Sequence, residues 1–240
     1  MERKIIQIFE TLKKRRYRRD KPFLEDKLKE IIKQSIEQNN PIKLVGFWGV
    51  GQKDKTNWAD TASCEFLYKL NEEIKKVYSP GIEYTFIFAA IHGVHNGIDP
   101  TVISSYTQDI KNLFDKHDFK YIYLDNLWNK YGINFEKIDK IFDKKHQDWW
   151  NSIENTELIE KNAKNRNLRL NPKIAAQKYY IMRDLEKEMF EKEFPDSIFH
   201  TFSDSRLRCV LPNMPTLYFY SRKGWSDAPW FVTEEKIHPK

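Results

Sequence analysis

Three short apolar runs, Ile42 to Trp48, Tyr84 to Ile91 and Phe119 to Leu124, alternate with longer stretches whose apolar residues recur every three or four positions. This alternation restricts the fold more than any other feature. Runs of that length bounded by Gly, Pro and Asp read as buried strands, and the 3.6-residue period between them reads as amphipathic helix. One such helix carries Phe66, Leu67, Leu70, Ile74 and Val77, and Ser79-Pro80-Gly81 stops it. The next is capped by Asp99-Pro100 and turns Val102, Tyr106, Ile110 and Leu113 inward. Parallel strands need a crossover between them, usually a helix, so the pattern predicts an α/β, Rossmann-like three-layer sandwich with a mostly parallel sheet. Ligands in such sheets bind beyond the carboxyl ends of the strands. Here those ends lead into the loops 49–60, 92–99 and 125–128.

Two helices, with Ile5, Ile8, Phe9 and Leu12 on the first and Leu24, Leu28, Ile31 and Ile32 on the second, precede the sheet within residues 1–38. In the second half, Phe135, Ile138, Phe142, Trp149 and Ile153 predict a helix over 134–153, and Ile174, Ile181, Leu185 and Met189 predict another over 173–193. The Asn- and Lys-rich segment 154–172 has no apolar period and is expected to be a mobile loop or lid. Short extended pieces at 197–202, 206–211 and 216–220 are expected to finish the sheet as antiparallel strands. The pattern as a whole predicts one catalytic domain over residues 1–240.

The chain has 240 residues, a net charge of +6 and 15% aromatic residues, enough material for a sizeable core. It has no apolar run long enough to cross a membrane and no secretory signal, so a cytoplasmic location and no membrane partner are expected. Cys64 and Cys209 form no CxxC and are read as buried thiols. The positive charge is uneven. Lys13, Lys14, Arg15, Arg16, Arg18 and Arg19 surround Tyr17; the four arginines are candidates for phosphate or RNA contact, or form the solvated basic end of a helix. The sequence leaves the oligomeric state open.

Several groups could carry chemistry. Lys53, Lys55 and Asn57 follow the first strand and precede a helix, a place where fixed positive charge and backbone N–H groups bind anions, although the GxxxxGK[ST] spacing of a P-loop is absent. Asp60 opens that helix and is a candidate catalytic residue, expected to gather with Lys53, Lys55, His92 and His95 in one active site at the strand ends. His92 and His95 are candidates for proton transfer, since imidazole titrates near neutral pH. With no defined third ligand they do not make a metal site, and neither metal nor cofactor is expected. His200 lies in a late strand and reads as a satisfied core or rim residue. Asp125, Tyr180, Asp184 and Trp230 are candidate substrate contacts, with the indoles of Trp225 and Trp230 offering aromatic walls. No GxSxG elbow presents a nucleophile.

The order of several short motifs resembles the pyoverdine/dityrosine biosynthesis family of isocyanide synthases. They are Tyr17-Arg18-Arg19, Asn40-Pro41-Ile42, Lys55 with Asp60 and the Leu67/Leu70 pair, and Tyr78-Ser79-Pro80-Gly81. Val102 with Tyr106, Phe194-Pro195-Asp196 and Ala228-Pro229-Trp230 continue the series. The resemblance implies a Rossmann-like transferase of natural-product biosynthesis that converts the amino group of an amino acid to an isonitrile, taking the carbon from ribulose 5-phosphate. It would assign the loop lysines to the sugar phosphate and the aromatic walls to the amino-acid side chain. The chain departs from the family where Phe88-Ala89-Ala90-Ile91 replaces Ser-Asp-Gly-Arg after the second strand.

A second class is similar in size and charge: the cyclodipeptide synthases, which use aminoacyl-tRNA. Tyr180 and Asp184 approximate their Tyr-x-x-x-Glu, but Trp48 stands near the position of their nucleophilic serine. A non-catalytic relative that binds RNA or another partner is the third reading, because fold alone does not set function.

Overall fold

The computed structural model describes residues 1–14, 20–202, 213–219 and 228–232. Five strands, β1 (Ile42–Trp48), β2 (Ile82–Phe88), β3 (Lys120–Tyr123), β4 (Ile198–Thr201) and β5 (Thr216–Tyr218), form one sheet in the order β3-β2-β1-β4-β5. Every pairing is parallel, with Gly46 opposite both Phe86 and His200. The antiparallel finish expected at the C-terminus is therefore corrected: β4 and β5 run with the rest. A run of three or four apolar residues carries the same pattern in either direction, so only the crossover decides its sense. The single antiparallel contact among the described residues is a bridge from Phe23 to Thr216 on the sheet edge. The expected piece 206–211, like Arg15, Arg16, Arg18, Arg19, Cys209 and Trp225, lies outside the described residues.

Side chains alternate across β1, so Leu44 and Trp48 face one helical layer while Val45 and Phe47 face the other. On the first face lie α1 (Glu2–Lys13), α2 (Glu25–Gln38), α3 (Trp58–Lys75) and α5 (Pro100–Asp115), which contribute Ile8, Leu28, Leu67, Leu70, Ile110 and Phe114. The second face is covered by α6 (Leu124–Tyr131), α7 (Phe135–Lys144) and α10 (Pro172–Glu193) through Trp128, Ile138, Met182, Met189 and Phe190. Cys64 is buried, as expected.

Three expectations change. Residues 92–97 do not form an open loop: β2 stops at Phe88 and the helix α4 (Ala90–His95) begins two residues later. The helix expected over 134–153 breaks at Lys145-His146 into α7 and α8 (Gln147–Asn151). The segment 154–172 contains the helix α9 (Thr156–Arg166). Its lack of period has a physical counterpart, because Ile159 is its one buried residue. That residue, with Trp150, packs on Ala176 of α10, where a small side chain lets the helices approach. Past α9 the chain is fixed to α4, with Asn167 donating to the His95 carbonyl at 2.9 Å and the Leu168 N–H to the Asn96 carbonyl at 2.8 Å.

Two glycines in the loop after β1 admit a close neighbour. A Cβ at Gly49 would stand 2.5 Å from the Trp230 indole, and one at Gly51 would stand 1.9 Å from the Trp230 carbonyl oxygen. Only glycine lets the 3-10 turn Pro229–Phe231 sit against this loop.

Candidate active site

The direction of strand addition reverses at β1: β2 and β3 lie to one side of it, β4 and β5 to the other. In open α/β sheets this switch point leaves a crevice at the carboxyl ends of the strands. A cavity of about 160 Å³ occupies it. Its floor comes from Phe47 and Gly49 of β1 and its loop and from Phe199 and Thr201 of β4, one wall from α4 and another from α9 and α10. Trp230 and Phe231 close the remaining side. Tyr179, Tyr180, Arg183 and Asp184 present one face of α10 to it, while Ala175 and Ala176 leave room one turn earlier.

His92 is the titratable group with the most developed surroundings. Its Nε2 lies 2.7 Å from Oε1 of Glu186, which also accepts from Trp128 Nε1 at 2.9 Å. The other carboxylate oxygen accepts from Arg183. The Arg183 guanidinium in turn lies over the Phe47 ring, 4.0 Å from its centroid, and its Nε carries no hydrogen bond. Burial pushes the Glu186 carboxyl up, but attraction to His92 and Arg183 together with the bonds from His92 and Trp128 outweighs it, leaving the group below the usual carboxylate range. An ionised Glu186 orients the imidazole in the way carboxylates hold catalytic and metal-bound histidines. Sequence reading missed Glu186, Arg183 and Trp128 as site residues. A signal was present: Glu186 is four residues from both Met182 and Phe190, which places a carboxylate on the apolar face of α10.

His95 also lines the cavity but points its Nε2 to the Ala175 carbonyl at 3.3 Å. Burial, with help from His92, lowers its pKa to about 4. It is neutral at pH 7. Asp125 opens α6 outside the cavity lining; its Oδ1 is buried without a hydrogen bond, and burial raises its pKa against the pull of His92.

Lys53, Lys55, Asn57 and Asp60 do not line this cavity, which corrects the expectation of one shared pocket. Lys53 donates to Asn57 Oδ1 at 3.1 Å, to Asp60 and to the Pro229 carbonyl at 3.0 Å, which uses all three N–H groups of an ammonium. Asp60 also accepts from the Asn57 N–H at 2.9 Å and from the Tyr106 hydroxyl at 2.6 Å, and Trp48 Nε1 donates to that hydroxyl at 2.9 Å. Asn57 caps α3 and donates to the Val232 carbonyl at 2.7 Å. These groups clamp the turn that carries Trp230 onto α3. Burial lowers the Lys53 pKa and raises that of Asp60, each against the pull of the other. Lys55 is exposed and outside the cavity. The odd-even alternation explains the separation: Trp48 and its network lie on the α3 side of the sheet, Phe47 and His92 on the α10 side.

His200 is buried in the core between Tyr84, Phe86 and Phe219. Neither ring nitrogen has a hydrogen-bond partner, so the satisfied histidine expected there is not what the fold holds. Burial lowers its pKa to about 3. Among the described residues no three His, Cys, Asp or Glu side chains gather as a metal site, and no helix is long and apolar enough to cross a membrane.

Sheet order, helical layers and a switch-point cavity define a Rossmann-like α/β protein. No family model and no curated protein matches the sequence. Among solved structures, PvcA from Pseudomonas aeruginosa is similar with a TM-score of 0.69 and 16% identity, over 95% of this chain and 87% of that one. The tyrosyl-tRNA synthetase of Archaeoglobus fulgidus, solved with L-tyrosine, gives a TM-score of 0.57 and 10% identity. That match covers 90% of this chain and 64% of the synthetase. At these identities the likeness establishes a common fold.

Proposed function

We propose that the chain is an enzyme that modifies an amino acid, a transferase of the isocyanide-forming kind, with its amino acid in the switch-point cavity. The observation that carries this is His92 on the cavity wall with Nε2 held by the buried Glu186. Carbon transfer from a ketose phosphate begins with an imine. The amine nitrogen forms a bond to the carbonyl carbon and gives up its protons, and the carbonyl oxygen takes them and leaves as water. A fixed imidazole is the group suited to move those protons. Phe47, Tyr179, Tyr180 and Trp230 suit a side chain with an apolar body, and Arg166 and Arg183 bring positive charge for a carboxylate or phosphate. Lys53, held in the clamp, is not assigned a phosphate. The fold shared with PvcA agrees with this reading.

The test is incubation with tyrosine, tryptophan, arginine or other amino acids plus ribulose 5-phosphate, with mass spectrometry for an isonitrile. His92→Gln is expected to lower the rate about 10²–10⁴-fold, the usual worth of one general acid/base. No product from any amino acid refutes the reading. The cyclodipeptide alternative is favoured by a separate observation, that Tyr180 and Asp184 both line the cavity. A cyclic dipeptide formed from aminoacyl-tRNA in the same assay would put it first.

A further inference from the structure

Glu186 satisfies one end of the Arg183 guanidinium and leaves the rest of it open. Among the described residues Nη1 alone has a hydrogen-bond partner, the Glu186 carboxylate. Nε is sealed from solvent without one, and Nη2 has none either but is not sealed. The group lies over the Phe47 ring on the cavity wall, where neighbouring rings offer no acceptor in its plane. A nearly buried cation with unmet donors facing a cavity is a place for an anion inside that cavity. Arg166, the other arginine of the lining, is stacked on Phe231 at 3.9 Å.

Glu186 also fixes which nitrogen of His92 is basic. An ionised carboxylate only accepts, so Nε2 carries the ring proton and the lone pair lies on Nδ1. Nδ1 has no hydrogen bond among the described residues, and the ring lines the cavity. Phe47, Trp128 and Tyr179 pack against this ring. The charged or titratable groups that face it are Glu186 and Arg183 of α10, Asp125 of α6 and the neutral His95 of α4. Imidazole and guanidinium grip the two oxygens of one carboxylate, which brings them as close together as the carboxylate and amino group of a single α-amino acid.

We propose that Arg183 holds the carboxylate of the ligand through Nη2, and that this contact draws the ammonium proton of the same ligand onto Nδ1 of His92. The added negative charge competes with Glu186 for the guanidinium and favours an imidazolium beside Glu186. One N–H bond of the ammonium breaks, the proton bonds to Nδ1, and the electron pair stays on nitrogen as the free amine that imine formation needs. The proposal rests on the amino-acid reading of the cavity and not on what the amine does next, so its test is binding without turnover.

Thermal shift with the common amino acids finds one that binds, and calorimetry at about pH 6.5, near the ordinary imidazole value, compares three forms of it. For tyrosine these are tyrosine itself, tyramine without the carboxylate and 3-(4-hydroxyphenyl)propionate without the amine. Tyramine is expected to bind about 10–100-fold more weakly than tyrosine, the worth of a charge-assisted hydrogen bond. The propionate has no ammonium proton to give, so across buffers of different ionisation enthalpy it should bind with proton uptake from solution, and tyrosine should not. Arg183→Met should remove the preference for the carboxylate, and His92→Gln should abolish the uptake. The three ligands are compared on the unaltered protein, which keeps the test decisive should Arg183→Met not fold. If no amino acid binds, the amino-acid reading falls and the proposal with it. If amino acids bind but the amine binds as tightly, the propionate takes up no proton, the preference survives in Arg183→Met or the uptake survives in His92→Gln, the proposal alone is overturned.

Discussion

Glu186→Ala removes the carboxylate that joins α4, α6 and α10 through His92, Trp128 and Arg183. Glu186 is fully buried and the Arg183 side chain is 6% exposed, so the variant leaves a nearly buried guanidinium without its carboxylate. Breaking a buried pair by removing one member costs about 3–5 kcal/mol, far more than loss of a surface ion pair. For a chain of this length each kcal/mol lowers Tm by about 2–4 °C, giving an expected loss of about 6–20 °C. Calorimetry and urea unfolding measure it. The double variant Glu186→Ala/Arg183→Met removes the stranded charge and should recover at least about 1 kcal/mol, a coupling typical of contacting residues. Glu186→Gln keeps the volume and separates positioning from packing: the ¹⁵N signals of His92 should shift as its charged partner is lost, and the rate of the reaction proposed above should fall while the fold persists. A Glu186→Ala variant less than about 1 kcal/mol below wild type, or a double variant that is strictly additive, would refute the reasoning. The acid side has a definite sign as well. Because the folded Glu186 titrates below its ordinary value of 4.5, its contribution is present above about pH 4.5 and is lost as pH falls through the folded value.

Three further outcomes are expected. His95 and His200 are held neutral, with pKa lowered from 6.5 to about 4 and about 3, so their contribution is complete above pH 6.5 and declines as the unfolded chain takes up protons the fold refuses. Between pH 6.5 and 5 the loss is on the order of 2 kcal/mol for each, measurable by urea unfolding at the two pH values; a flat profile would contradict it. Lys53→Met breaks the clamp and should cost about 3–5 kcal/mol of stability by urea unfolding; an unchanged stability would mean that Lys53 does not hold the Trp230 turn. Gly51→Ala should cost about 1–3 kcal/mol or more, because its Cβ meets the Trp230 carbonyl oxygen and must push the 229–231 turn away from the cavity; unchanged stability would mean that the turn is not seated there.

Much of the architecture is legible in local pattern. The runs at 42–48 and 120–123, the cap at Asp99-Pro100 and the helical stripe through Leu67, Leu70 and Ile74 are short-range signals, fixed by side-chain period and backbone chemistry within a few residues. They identify a helix-covered parallel sheet and place the site beyond its strand ends. Among the candidate residues, His92, His95, Tyr180, Asp184 and Trp230 are readable from the sequence and do meet at one cavity. The direction of β4 and β5, the crevice between β1 and β4, and the union of His92 with Glu186, 94 positions away, depend on which strands become neighbours. So does the fate of Lys53, whose ammonium is saturated by a carbonyl 176 positions on. Local sequence sets which face of each element is apolar. The partners a buried charge will find are set only when those faces close on one another, because that is when each polar group must exchange water for a specific neighbour.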